Sequence, residues 1–241
     1  ESFSISNVNL SYVDLESEMV AIIKGFNQSG SIHMVDDSTE IDIKTGIESI
    51  LFDLDGERLA NNMKVESDIK IAADLSKMAF NFKENLIKLN ELNLGVNGQM
   101  EMPDGMFFDL TLSAKDNKFR DVLSLIPASY LSDLEGAETK GDFDLTAHLK
   151  GKMDDENLPG FDVDFSVNNA YLHYPDLPES VENINVELAI DNKSGIIDQT
   201  KIDLKLFHLE IAKNPVDLKF FVTNIESDPK MQGEVLSKLD L

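Results

Sequence analysis

Apolar and polar residues alternate one by one along most of this chain. In "FDVDFSV", Phe161, Val163, Phe165 and Val167 occupy one parity, and Asp162, Asp164 and Ser166 the other. "GDFDLTAHLKG" sets Phe143, Leu145, Ala147 and Leu149 against Asp142, Asp144, Thr146 and His148. "INVELAID", "SDIKIAADL", "FFDLTLSA", "IDLKLF" and "VDLKFFV" follow the same rule. Side chains of a strand project to opposite faces in turn, so this period gives a strand one apolar and one wettable side. A helix would scatter the same residues around its circumference.

Turn chemistry divides the runs. "DLDGE" (Asp53–Glu57), "MPDGM" (Met102–Met106) and "DNKSG" (Asp191–Gly195) carry the Asp-Gly or Asn-and-Gly signals of tight reversals. About a dozen strands, roughly 8–12 residues apart, follow from this punctuation. That spacing requires antiparallel neighbours, because parallel crossovers need longer connections. The phase slips within "FSISNVNLSY", between Leu89 and Leu92, and between Leu206 and Phe207, as it does at a bulge or a strand break.

One segment has a different period. "DNKFRDVLSLIPASYLSDLEG" spaces Phe119, Val122, Leu123, Leu125 and Ile126 as on a helix, which Pro127 interrupts and Gly136 can end. One or two short helices are expected around 117–135, with Phe119, Leu123 and Ile126 covering a sheet end. "GERLANNM", around Arg58, is a second helical candidate or a turn.

The chain carries 21 Lys and Arg against 45 Asp and Glu, a formal net charge of -24. Such a surface repels phosphate backbones and lacks a basic patch for an anionic leaflet, which sets nucleic acid aside as a partner. The absence of cysteine removes disulfides, thiolate metal sites and cysteine nucleophiles together. The chain opens "ESFSI", without methionine and already in a strand pattern. It is expected to be one elongated β-rich domain over 1–241, a segment of a larger protein.

A phrase recurs. "ISNVNLSYVDLESEM" (5–19) and "VNNAYLHYPDLPESV" (167–181) align at an offset that superposes Asn7, Leu10, Tyr12, Asp14 and Leu15 on Asn169, Leu172, Tyr174, Asp176 and Leu177. Either two half-buried strands ending in an Asx turn look alike by chance, or a sheet has been lengthened by repeating a strand pair. In the second case Tyr12 and Tyr174 sit at the rim, and the chain turns through Asp-Leu into the next strand.

From Phe119 to Asn192 the chain runs "FRDVLSLIPASYLSDLEGAETKGDFDLTAHLKGKMDDENLPGFDVDFSVNNAYLHYPDLPESVENINVELAIDN". An Ile-Pro helix, a K-G-x-F-x-L-x-A-like strand, an L-P-x-F-x-V-x-F strand, then Y-P-D-L-P and a strand beginning I-N-V resemble the AsmA family of Gram-negative envelope proteins. That family is similar to the TamB family and, more distantly, to bridge-like lipid-transfer proteins. The resemblance extends from about Leu86 to the C-terminus, and its family's N-terminal membrane anchor is not in this sequence. It implies a long, curved antiparallel sheet, open along one side as an apolar trough. It further implies a periplasmic location, within an inner-membrane-anchored protein, and a part in outer-membrane lipid transport.

No catalytic constellation emerges, and no cofactor is expected. The pairs Asp53/Asp55, Asp142/Asp144, Asp154/Asp155 and Asp162/Asp164 lie on polar parities or in turns, as a solvated face would place them. "DLDGE" lacks the remaining ligands of a calcium loop. His33, His148, His173 and His208 are dispersed, though His148 and His173 could meet across neighbouring strands; no zinc spacing is present. No G-x-S-x-G elbow or glycine-rich phosphate loop occurs.

The apolar set is the candidate site: Phe143, Leu145, Leu149, Phe161, Phe165, Leu188, Leu204, Leu218 and Phe220. Two readings stand. These residues line a groove for phospholipid acyl chains in a non-enzymatic domain that also meets neighbouring envelope domains. Alternatively they fill the dry core of a closed β-sandwich, a structural or adhesin-like module.

Overall fold

In the computed structural model, thirteen strands among the described residues form one sheet whose order follows the chain from β1 to β13, each bonded to its predecessor. The description covers the chain except residues 16, 36–37, 103–104, 115–116, 126–135, 155–157, 176–177 and 239–241, and the side chains at 35 and 84. The strands are β1 (Ser2–Asp14), β2 (Met19–Val35), β3 (Ser38–Leu54), β4 (Glu57–Asp74), β5 (Ala79–Leu89), β6 (Leu92–Glu101) and β7 (Met106–Ala114). After helix α1 (Phe119–Leu123) follow β8 (Glu138–Met153), β9 (Gly160–His173), β10 (Val181–Asn192), β11 (Lys201–Ile211), β12 (Asn214–Thr223) and β13 (Lys230–Ser237). Every described register is antiparallel. The sheet is thus the mainly β, antiparallel class that the alternation requires, with β2, β3 and β4 longer than the turn spacing implied.

One short helix stands among the described residues, within the one or two that the spacing around 117–135 predicts. Helix α1 is five residues long, with Phe119 and Leu123 both buried, and among the described residues one 3-10 turn spans Ile197–Gln199. Ile126 and the restart after Pro127 lie outside the described residues. "GERLANNM" is not helical; it opens β4. Asp55 and Gly56 both have positive φ (50° and 77°), the geometry of a tight hairpin, and turn the chain straight back onto β3. Arg58 then grips Asp53 through two hydrogen bonds of 2.7 and 2.9 Å. Among the described residues no helix is long and apolar enough to cross a membrane.

Compactness divides the chain into unit one (Glu1–Asn97 with Asp121–Leu134) and unit two (Gly98–Arg120 with Glu135–Leu241). Within unit one, Asn90 at the β5–β6 turn explains the slip after Leu89: it is a reversal, with Asn90 at φ 52°. Its backbone N–H donates to Lys64 O, its Oδ1 accepts from Lys64 N, and its Nδ2 donates to Ser124 O, each at 2.9 Å. Within unit two, the slip near Phe207 is a bulge in β11, between Leu204 and Phe207.

Both copies of the repeated phrase build the same device. On β1 the register with β2 shifts between Ile5 and Val8 and returns by Leu10; on β9 the register with β10 shifts between Val167 and Ala170 and returns by Leu172. Asn7 and Asn169 take the left-handed conformation, φ 52° and 48°, which asparagine tolerates better than most residues. The backbone N–H of Asn7 donates to Asn27 Oδ1, and that of Asn169 to Asn185 Oδ1, both at 2.9 Å. The same amides donate to the carbonyls two residues back, Gly25 and Asn183, themselves at positive φ. Each hairpin therefore carries paired bulges pinned by the side chain of Asn27 or Asn185, to which the first hairpin adds Asn9 Oδ1 accepting from the Gly25 N–H at 2.9 Å, and such bulges bend their strands. On β8, next to the second copy, Gly141 has φ 103°, and a Cβ there would come within 2.8 Å of Ala170. The chain turns after Asp14 as expected; Asp176 and Leu177 lie outside the described residues.

Candidate ligand-binding face

Directly opposed residues of adjacent strands share a face, so the registers of unit two show which side chains line up across the sheet. One lane runs Leu145, Phe165, Leu188, Leu204, Phe220 from β8 to β12. A second runs Leu112, Ala147, Val163, Ile190, Ile202, Val222, and a third Phe143, Val167, Val186, Phe207, Leu218. A fourth comprises Leu110, Leu149 and Phe161. Each of the nine apolar candidates read from the sequence falls in one of these lanes, and all lie on one face.

The lanes persist because the β11 bulge absorbs one residue. Leu188 opposes Leu204 and Val186 opposes Phe207, so both β11 side chains stay on the apolar face although they are three positions apart. Without the bulge, one parity would leave the face. Phe143 and Phe165 stack at 5.8 Å between centroids, tilted by 42°. Of the nine candidates, Phe143 and Leu204 are buried and the others half-buried; Val167 and Val222, in the same lanes, are buried as well. At the β13 edge Met231 and Val235 continue the second and third lanes and are well exposed.

The sequence left Val186, Ile190, Ile202, Phe207, Val222, Leu110 and Leu112 out of the candidate set, although the same lanes hold them. The signal was present in part: Val186 and Ile190 share parity with Leu188. Phe207 was hidden by the bulge, which reverses parity.

The opposite face is polar. Asp142 opposes Asn168, Asp144 opposes Ser166, and His148 opposes Asp162. His148 Nδ1 lies 2.7 Å from Asp162, Lys150 2.6 Å from Asp109, and Lys118 2.7 Å from Asp142. The Asp142/Asp144 pair thus faces away from the apolar lanes, and Asp155 lies outside the described residues. His148 and His173 do not meet: His148 is opposite Asp162 and His173 opposite Glu138, at different ends of the β8–β9 pair. His208 sits 2.7 Å from Asp217, and His33 opposes Glu40. Among the described residues, no three or more His, Cys, Asp or Glu cluster to hold a metal ion.

The carboxylates held below their usual range all secure turns. Hydrogen bonds from Arg58 lower Asp53. Asp74 is lowered to about 2, first by the Lys77 ammonium and then by the Ser76 hydroxyl. Asp198 is lowered by the Ser227 backbone N–H and hydroxyl, with the Glu226 N–H adding to them.

Compared with family models, curated proteins and solved structures, the chain matches none.

Proposed function

We propose that the apolar face of unit two binds lipid acyl chains, in a non-enzymatic, AsmA-like envelope domain that supports phospholipid transport in the periplasm. The observation that carries this reading is the set of unbroken lanes through Leu145, Phe165, Leu188, Leu204 and Phe220 and their neighbours. At about 4.8 Å between strands, the lane from β8 to β12 runs for about 19 Å. That exceeds the roughly 15 Å that the chains of one bilayer leaflet span. A tail laid along it leaves its head group in water and gains about 0.8 kcal/mol per methylene buried. Such binding follows apolar area and is nearly indifferent to the head group.

The resemblance of Phe119–Asn192 to the AsmA family supplies the envelope setting, and the one-sided alternation is consistent with it. The test is native mass spectrometry of the purified chain, with solvent extraction and lipid analysis of what is released. Co-purifying phospholipid that a Leu145→Asp or Phe165→Asp variant loses while still folded is the expected result. A bare protein mass, unchanged after incubation with lipid, overturns the reading.

A further inference from the structure

Unit one also presents an apolar face, with lanes through Ile41, Ile71 and Phe82, through Ile43 and Ile69, and through Ile47, Val65 and Leu89. Between the last two lies a lane of different chemistry. Ile5 opposes Gln28, Gln28 opposes Thr45, Thr45 opposes Ser67, and Ser67 opposes Ile87. An amide and two hydroxyls therefore cross β2, β3 and β4 on the side where the flanking lanes are apolar. All three are half-buried.

These groups satisfy one another only in part. Gln28 Nε2 donates to Thr45 Oγ1 at 3.2 Å. Thr45 keeps its own hydroxyl proton, Gln28 a second N–H, and the Ser67 hydroxyl has no hydrogen-bond partner among the described residues. A pure hydrocarbon covering this face would strand three donors, which is costly. Charge is absent from the lane, because the Lys44–Asp68 ion pair (3.1 Å) belongs to the alternate parity and faces the other way. Neutral donors about 4.8 Å apart suit carbonyl oxygens and offer a phosphate nothing to neutralise it.

We infer that the Gln28–Thr45–Ser67 lane binds the ester carbonyls of a diacyl glycerolipid, whose chains lie along the isoleucine lanes on either side. This rests on the reading that the chain's sheet faces take lipid. It adds that unit one selects for oxygen at the chain root, whereas unit two responds to apolar area alone.

The experiment is competition, by native mass spectrometry of the full chain, between dioleoyl phosphatidylethanolamine and its dialkyl-ether analogue. The wild type is expected to favour the diester, by up to about tenfold for each hydrogen bond made. A Gln28→Leu, Thr45→Val, Ser67→Ala variant should bind the two lipids equally while retaining the ether. A wild type without preference, or a variant that keeps it, overturns the inference while lipid binding itself stands. A wild type that takes up neither lipid overturns both readings together. Should the triple variant fail to unfold cooperatively, Thr45→Val alone, which deletes the hydroxyl at nearly constant volume, should reduce the preference measurably; an unchanged ratio overturns the inference.

Discussion

Beside the bulge in unit one, the sheet face carries Ile5 opposite Gln28; beside the matching bulge in unit two, it carries Val167 opposite Val186. The two pairs occupy equivalent positions, two residues before Asn7 and Asn169 in devices with the same register shifts and the same hydrogen bonds at Asn27 and Asn185. Backbone geometry is thus repeated where face chemistry is not. The asparagines hold the bend through main-chain groups, which leaves the neighbouring lane free to be polar in one unit and apolar in the other. Shape and selectivity are carried by different residues, even though those residues are adjacent.

Paired substitutions can break this comparison. The largest effect is expected at Val167, which is 1% exposed: Val167→Asp should cost several kcal/mol and unfold unit two. Its counterpart Ile5 is 41% exposed on an edge strand, so Ile5→Asp should cost less than about 1 kcal/mol. Urea denaturation followed by circular dichroism reads both, and similar losses would mean that the two faces are not differently buried.

A middle-sized effect is expected at the locks. Asn27→Ala and Asn185→Ala each remove an acceptor from a left-handed N–H and should destabilise by about 1 kcal/mol, equally in the two units. Unequal shifts in unfolding midpoint would show that the repeat is one of form and not of energy.

The smallest effect is a pH dependence confined to turns. The folded state lowers Asp74 from 3.8 to about 2, so its stabilising contribution is complete above the unfolded value and disappears as pH falls from about 4 toward 2. Asp74→Asn should abolish that dependence, seen as amide protection factors at Ser76 and Lys77, corrected for the intrinsic exchange rate, that no longer change between about pH 4 and 2. Asp198 in unit two is lowered in the same direction and should behave alike.

Much of this was legible in the sequence because strand parity is a local property. The period of two specifies which residues share a face, the Asp-Gly and Asn signals specify where the chain reverses, and the slip near Phe207 marks a bulge before any partner is known. "GERLANNM" misled because Leu59, Ala60 and Met63 favour helices, whereas the Asp55–Gly56 turn commits the segment to pairing with β3. Asn27 and Asn185 were not legible as lock partners, since each is a single asparagine 20 or 16 residues from the group it holds. The lane through Gln28, Thr45 and Ser67 was invisible for a related reason. One polar residue per strand looks like noise until registers align the three.

The agreement of strand order with chain order also has a kinetic consequence. A sheet in which each strand is bonded to its predecessor needs no crossover and no threading of one segment past another. Each new hairpin can dock on an edge already formed, so the entropy of loop closure is met a few residues at a time. Growth of this kind can keep pace with synthesis from the N-terminus, and whole strand pairs can be gained or lost in evolution without rerouting the rest.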